Sequence, residues 1–294
     1  MTPLLFNLAS SPALVTQLEQ LLPAETGELE LHQFPDGESY LRIHSDCQGR
    51  DCLLFCNLFH PDEKLLPLLF AATTLRELGA RRLLLISPYL AYMRQDKRFK
   101  PGECISSRIF AQQLSGLFDG LITVDPHLHR YASLDEIYSL KSIRVPAAPL
   151  IAHWIRQQIA QPLLIGPDAE SEQWVSEVAQ LAGAPWQILH KERHGDYAVE
   201  VSLPDVERWH EHSPVLVDDI ISSGRTMLET LNHLQQAGLP RATCIGVHGI
   251  FAGDAYQRLQ ASADVVSTDC IPHPSNAISM IPALADACRR WLHP

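Results

Sequence analysis

Residues 215–227 read V-L-V-D-D-I-I-S-S-G-R-T-M. A short apolar run meets two adjacent acids, Asp218 and Asp219, then a turn of small residues, Ser222, Ser223 and Gly224. Arg225 and Thr226 follow, and leucines recur at 228, 231 and 234. The spacing predicts strand, acid pair, turn and helix, with the strand over 215–217 buried in a parallel sheet. A turn that opens a helix presents unpaired backbone N–H groups and the positive end of the helix dipole, which together favour an anion. Small residues let that anion approach the backbone. The acids fall at the carboxyl end of the strand, where open α/β sheets bind ligands. Asp218 and Asp219 read as loop caps would leave two like charges beside a buried strand, a costly arrangement without a partner. One ligand satisfies both halves: a sugar phosphate, with hydroxyls on the carboxylates and phosphate in the turn.

Outward from this stretch, apolar runs alternate with helical patterns. Strands are predicted over 4–8, 29–34, 40–43, 52–56, 83–86 and 121–124, and helices over 12–22, 62–78 and 106–117. In the second half strands are predicted over 163–165, 187–189, 198–201, 215–217, 243–247 and 265–267. Helices there are predicted over 150–159, 170–182, 226–237, 255–261 and 278–292. The alternation implies mostly parallel sheets flanked by helices. Two such sets imply two α/β domains, in keeping with 294 residues. The Pro-rich join at 145–149 marks the boundary, giving domains over 1–146 and 147–294.

The composition is that of an ordinary globular protein, with 46% hydrophobic and 19% charged residues. A net charge of −11 argues against a nucleic-acid polymer as partner, though not against a nucleotide, whose phosphates need only local cations. Seven scattered cysteines without a C-x-x-C pair suggest reduced thiols in a cytoplasmic protein, with Cys52 and Cys56 in the core. The first 15 residues lack a basic segment and are broken by Pro3 and Pro12, so they read as strand and helix rather than a signal peptide. Nothing approaches the roughly 18 apolar residues of a membrane span.

Three further motifs carry chemistry. At 34–38, Phe34 precedes Pro35, Asp36, Gly37 and Glu38. Pro-Asp-Gly alone is a hairpin turn; Phe34 adds a face for stacking a base, and the carboxylates can accept from an exocyclic amine. At 88–98, P-Y-L-A-Y-M-R-Q-D-K-R follows a strand. Read by itself it is a solvated charged loop, but Arg94 can grip phosphate with its planar fork and Gln95 can hydrogen-bond a base or ribose. At 123–130, T-V-D-P-H-L-H-R ends the next strand and sets His127 at the mouth where the other motifs converge.

Taken together these motifs resemble the ribose-phosphate pyrophosphokinases (phosphoribosyl diphosphate synthetases), and residues 215–227 also resemble the phosphoribosyl-binding loop of type I phosphoribosyltransferases. The resemblance runs from Phe34 to about Asp269, with six motifs in family order. It implies two type I phosphoribosyltransferase-like domains, the first binding ATP and the second ribose 5-phosphate. The implied reaction moves the β,γ-diphosphoryl group of ATP to the anomeric hydroxyl of ribose 5-phosphate. By the same resemblance Phe34, Asp36, Gly37 and Glu38 reach the adenine site of a neighbouring subunit, so a homo-oligomer of at least two chains is expected. Arg94, Gln95 and Asp96 bind ATP. Asp218, Asp219, Ser222, Ser223, Gly224, Arg225 and Thr226 bind ribose 5-phosphate. His127 and Asp168 serve a Mg2+ ion. Lys191 and Arg193, in H-K-E-R-H at 190–194, match a catalytic Lys-x-Arg loop whose cations stabilise the transferring group, and Arg193 also meets the sugar phosphate.

The chain departs from the family pattern in places. Arg130-Tyr131-Ala132-Ser133 replaces an aromatic-rich continuation after His129, and Ala169-Glu170-Ser171 replaces a Gly-rich turn, making a poorer anion cradle. Ser222 stands where an acid is frequent, and Arg225 where Gly is frequent; Arg225 adds a cation beside the phosphate. Two rival readings share part of this evidence. A phosphoribosyltransferase would keep the 215–227 loop but has no use for the Phe34 and Arg94 motifs. An inactive regulatory homologue would keep the fold and lose the catalytic cations, which are retained here.

Overall fold

The computed structural model describes residues 1–8, 10–166, 171–194, 198–202 and 206–293, with backbone alone at 173, 190–194, 198–202 and 206–207. By internal contacts the chain divides into Met1–Val145 with Met280–Pro294, and Pro146–Ser279. The expected division into 1–146 and 147–294 therefore differs at its far end, where the last helix belongs with the first unit.

The first unit is built on β1 (Leu4–Asn7), β2 (Glu25–Thr26), β5 (Asp51–Phe55), β6 (Arg82–Ile86), β7 (Gly120–Val124) and β8 (Lys141–Val145). They form one sheet in the order β2-β1-β5-β6-β7-β8, and every neighbouring pair is parallel. Leu53, Leu54, Phe55, Leu83, Leu84, Leu85 and Ile86 are all fully buried, as strands covered on both faces require. Helices α2 (Asp62–Glu77) and α3 (Ser106–Leu117) bury Leu68, Leu75, Phe110 and Leu114 in a common core with Leu54, Leu83 and Leu85. Helices α1 (Pro12–Leu21) and α8 (Ile281–Leu292) pack together, and α8 lies against β7. A Cβ on Gly120 would lie 2.1 Å from Nε1 of Trp291, so only glycine admits this indole. A separate antiparallel hairpin, β3 (Leu29–Gln33) with β4 (Ser39–Ile43), carries the 34–38 turn.

The second unit repeats the plan. Its strands are β9 (Pro162–Gly166), β10 (Trp186–Ile188), β13 (Ser213–Ile221), β14 (Ala242–Gly249), β15 (Ala263–Thr268) and β16 (Asn276–Ile278). The order is β10-β9-β13-β14-β15-β16, again parallel throughout. A hairpin of β11 (His190–His194) and β12 (Ala198–Ser202) is inserted after the edge strand, as β3–β4 is in the first unit. Helices α4 (Ala148–Gln158), α5 (Glu172–Ala182), α6 (Arg225–Gln236) and α7 (Ala255–Ser262) complete it. Strand for strand the two halves share one topology.

Several expected boundaries shift. The strand predicted over 215–217 runs from Ser213 to Ile221, because the long neighbour β14 offers ladder partners to Ile220 and Ile221. Tertiary pairing thus overrides the poor strand preference of two acids. The helix predicted over 278–292 starts at Ile281, since residues 276–278 form the edge strand β16. Cys52 and Cys56 are fully buried, and all seven thiols are free. No described helix is long and apolar enough to cross a membrane.

Candidate functional site

All strands of each six-stranded sheet run the same way, so their carboxyl ends share one edge; the 218–226, Arg94 and His127 motifs follow those ends, whereas the 34–38 turn and Lys191 and Arg193 lie on the two antiparallel hairpins. In the second unit, β13 carries Asp218 and Asp219 half-buried near its end, and the Asp219 amide donates to Asp218 Oδ1 at 2.9 Å. Asp218 pairs opposite Gly246 of β14. The turn is tied down from behind: the amides of Ile250 and Phe251 donate to the Ile221 carbonyl at 3.0 Å each, and that of Ala252 to the Ser222 carbonyl at 3.0 Å. Gly224 then takes the left-handed conformation, φ +66°, and caps α6, whose first hydrogen bond runs from the Leu228 amide to the Gly224 carbonyl at 2.9 Å. The amides of Arg225, Thr226 and Met227 therefore start the helix without intrahelical acceptors. Ser223, Arg225 and Thr226 are exposed, Ser222 is half-buried and Gly224 is buried. This is a backbone cradle with hydroxyls and one cation at its rim, beside two carboxylates.

Lys191 and Arg193 lie on β11 opposite Val201 and Val199 of β12. They stand on a strand rather than in an irregular loop, and Gly195 and Asp196, next in the chain, lie outside the described residues. Asp168 also lies outside them, after β9.

In the first unit, the turn between β3 and β4 is closed by the Phe34 amide on the Glu38 carbonyl at 2.8 Å and the Gly37 amide on the Phe34 carbonyl at 2.9 Å. The Glu38 amide donates to Asp36 Oδ1 at 3.1 Å, and Gly37 has φ +91°. Phe34 is 46% exposed, edge-on to Tyr40 at 6.1 Å. With Leu69 and Phe70 of α2, these two rings line an open groove.

The segment after β6 is held at several points. Tyr92 has φ +60°, its hydroxyl bonds the Asp62 carboxylate at the start of α2, and its ring lies 4.9 Å from Phe110. The hydrogen bond to Asp62 pushes the Tyr92 hydroxyl up to about 12. Arg94 is exposed and Gln95 half-buried. The Asp96 carboxylate is buried, and Arg130 Nη1 reaches it at 2.7 Å. After β7, Asp125 is buried with φ +28° and bonds Arg144 Nε at 2.8 Å. Such a conformation is strained for a residue other than glycine, and strain of this kind gathers at functional loops. Half-buried His127 follows, its ring stacked on that of His129 at 5.9 Å. The structure thus joins the Arg94 and His127 motifs through Asp96 and Arg130. Sequence reading had no role for Arg130, Asp125 or Asp62; the only signal was the departure from the family pattern at Arg130.

Known proteins place this architecture. A model of the N-terminal domain of ribose phosphate pyrophosphokinase matches residues 3–117, and one of the phosphoribosyl transferase domain matches residues 133–285. A ribose-phosphate pyrophosphokinase of Methanopyrus kandleri is 32% identical over 92% of this chain and 93% of its own. One of Sulfolobus acidocaldarius is 31% identical over 93% and 95%. The chain belongs to the ribose-phosphate pyrophosphokinase family. The crystal structure of phosphoribosylpyrophosphate synthetase from Mycobacterium smegmatis has the same fold, with a TM-score of 0.86 and 24% identity over 99% of both chains. The two units of this pyrophosphokinase family member are accordingly both of the phosphoribosyltransferase type. The family implies a divalent metal. Among the described residues no three His, Cys, Asp or Glu side chains gather into a preformed metal site.

Proposed function

We propose that this chain is a ribose-phosphate diphosphokinase that converts ATP and ribose 5-phosphate to AMP and 5-phosphoribosyl 1-diphosphate. The observation that carries it is the strand, acid pair and αL-capped helix over 213–236, in a chain whose other unit repeats the fold and carries the Arg94 segment. The 5-phosphate sits on the turn of Ser222, Ser223, Gly224, Arg225 and Thr226. The 2- and 3-hydroxyls donate to Asp218 and Asp219. In the first unit, read as the ATP-binding domain, Arg94 and Gln95 engage the nucleotide. Asp96 supports them, its carboxylate being engaged by Arg130. Phe34, Asp36, Gly37 and Glu38 serve the adenine site of a second chain, which makes the enzyme a homo-oligomer. Neither a membrane nor a nucleic-acid polymer enters this reading, and the reduced thiols fit a cytoplasmic enzyme.

In the reaction the C1 hydroxyl oxygen attacks the β-phosphorus of ATP. The bond from that phosphorus to the oxygen bridging the α-phosphate breaks, AMP leaves with the electron pair, and the hydroxyl proton is released. Among the described residues no side chain stands out as a general base. Positioning and charge stabilisation do the work, as is usual for phosphoryl transfer. We assign Lys191 and Arg193 to the charge on the transferring group, with Arg193 also near the sugar phosphate. Mg2+ is the divalent ion we infer, with His127 and Asp168 as its protein partners. Few protein donors suit an ion held largely by nucleotide phosphates and water. When bound it neutralises phosphate charge.

The test is AMP formation from ATP with and without ribose 5-phosphate, in Mg2+. Production of AMP that depends on the sugar is the expected result; its absence refutes the proposal and leaves the inactive-homologue reading. A phosphoribosyltransferase would instead consume 5-phosphoribosyl 1-diphosphate with a free base.

A further inference from the structure

The geometry points to Arg130 and Tyr131 as positioning residues for the nucleotide: they clamp the Arg94–Asp96 segment to the loop that bears His127. The inference rests on the proposed reading of Arg94 as an ATP-binding residue and adds what holds it in place.

The segment's C-terminal half is held through the Asp96 carboxylate and the Gln95 and Asp96 carbonyls. Arg130 Nη1 meets Asp96 Oδ1 at 2.7 Å, with the Asp96 side chain 2% exposed. The Tyr131 hydroxyl donates to the Asp96 carbonyl at 3.2 Å. That hydroxyl also lies 3.2 Å from Ser107 Oγ and accepts from Arg108 Nε at 3.4 Å, both at the start of α3. The Ser107 amide in turn donates to the Gln95 carbonyl at 3.3 Å. On the other side Tyr92 is anchored to Asp62 and Phe110. Arg94 is left as an exposed side chain on a backbone fixed both before and after it. Because Arg130 and Tyr131 follow His127 on one short loop, the nucleotide segment and the His127 loop form a single clamped body.

A purely stabilising role explains this arrangement poorly. A half-buried ion pair such as Arg130–Asp96 often adds little stability relative to apolar groups of the same shape, and fixing geometry is one use to which such pairs are put. Arg130 and Tyr131 are also the residues at which the sequence departs from the family pattern.

The experiment measures ATP binding to the full-length protein by calorimetry without ribose 5-phosphate, alongside the KM for ribose 5-phosphate. Arg130→Met is expected to weaken ATP binding about tenfold, because a small misplacement of a binding group is costly, while the KM for ribose 5-phosphate changes less than about twofold. Asp96→Asn combined with Arg130→Met should be no weaker than the worse single variant, the signature of two groups acting through one contact. Tyr131→Phe, which removes one oxygen and keeps the ring, should weaken ATP binding about threefold, and it serves should Arg130→Met fail to fold. Unchanged ATP binding in Arg130→Met and Tyr131→Phe overturns the inference, as does a parallel rise in the KM for ribose 5-phosphate or full additivity in the double variant. Arg94→Ala separates the two levels. If it weakens ATP binding and the clamp variants do not, only the clamp fails; if it has no effect, the ATP reading of the segment fails and the clamp with it.

Discussion

Gly224 packs against Leu259: a Cβ on the glycine would lie 3.0 Å from Leu259 Cδ1 and 3.3 Å from Cγ. The turn that opens α6 is thus fixed twice, by a left-handed backbone and by the α7 side chain behind it. Gly224→Ala should cost about 1–2 kcal/mol from the conformation alone, and it should push the turn towards the ligand. The expected outcome is a raised KM for ribose 5-phosphate with the ATP Kd little changed. Adding Leu259→Ala should recover part of the KM, which steady-state kinetics of the pair will show. No recovery would mean that the conformation alone decides.

Lys191→Ala should lower turnover about 10²–10³-fold, the effect of removing one group that stabilises charge in a transition state. Equilibrium ATP binding should stay nearly constant, since the cation is assigned to the transferring group. A fall in affinity that matched the fall in turnover would reassign Lys191 to ground-state binding.

Asp51 gives a pH prediction. Burial raises its carboxyl, but hydrogen bonds from Arg82 at 2.6 Å and Arg81 at 2.6 Å outweigh that and hold it at about 2, below its ordinary 3.8. A carboxyl depressed on folding contributes stability that is present above its unfolded value and lost as pH falls through the folded one. The contribution should therefore disappear between about pH 4 and pH 2. Asp51→Asn should be less stable than the parent at neutral pH, and the gap should close across that window in denaturant titrations.

Trp291 tests where the C-terminal helix belongs. Its ring lies under the Arg82 guanidinium at 4.3 Å and fills the space beside Gly120. Trp291→Ala should cost about 3–5 kcal/mol by opening a cavity. Hydrogen exchange should quicken in the β7 amides and stay unchanged in those of β14. Loss of protection in β14 instead would contradict the division of the chain.

Much of this was readable in the chain itself. Parallel strands announce themselves as apolar runs, and the acid pair, the small-residue turn and the leucines at 228, 231 and 234 lie within one local stretch. The edge strands β2 and β16 escaped because they are two and three residues long, too short for any periodicity, and β8 escaped because only Val145 of its K-S-I-R-V run is buried. Asp96 is expected to bind ATP by the resemblance of its segment; that its carboxylate meets Arg130 is something no local pattern could say.

The sequence by itself determined the alternating α/β layout and the chemistry offered at the strand ends, because side-chain period and turn residues act over a few positions. Only the tertiary structure decided that residues 281–292 return to the first sheet, that β13 continues through Asp218 and Asp219, and that Arg130 closes on Asp96. Each of these depends on a partner supplied from elsewhere in the chain: a glycine that admits an indole, a neighbouring strand that continues alongside, a buried carboxylate that needs a cation. Such complementarity exists only once the chain has folded and brought the partners together.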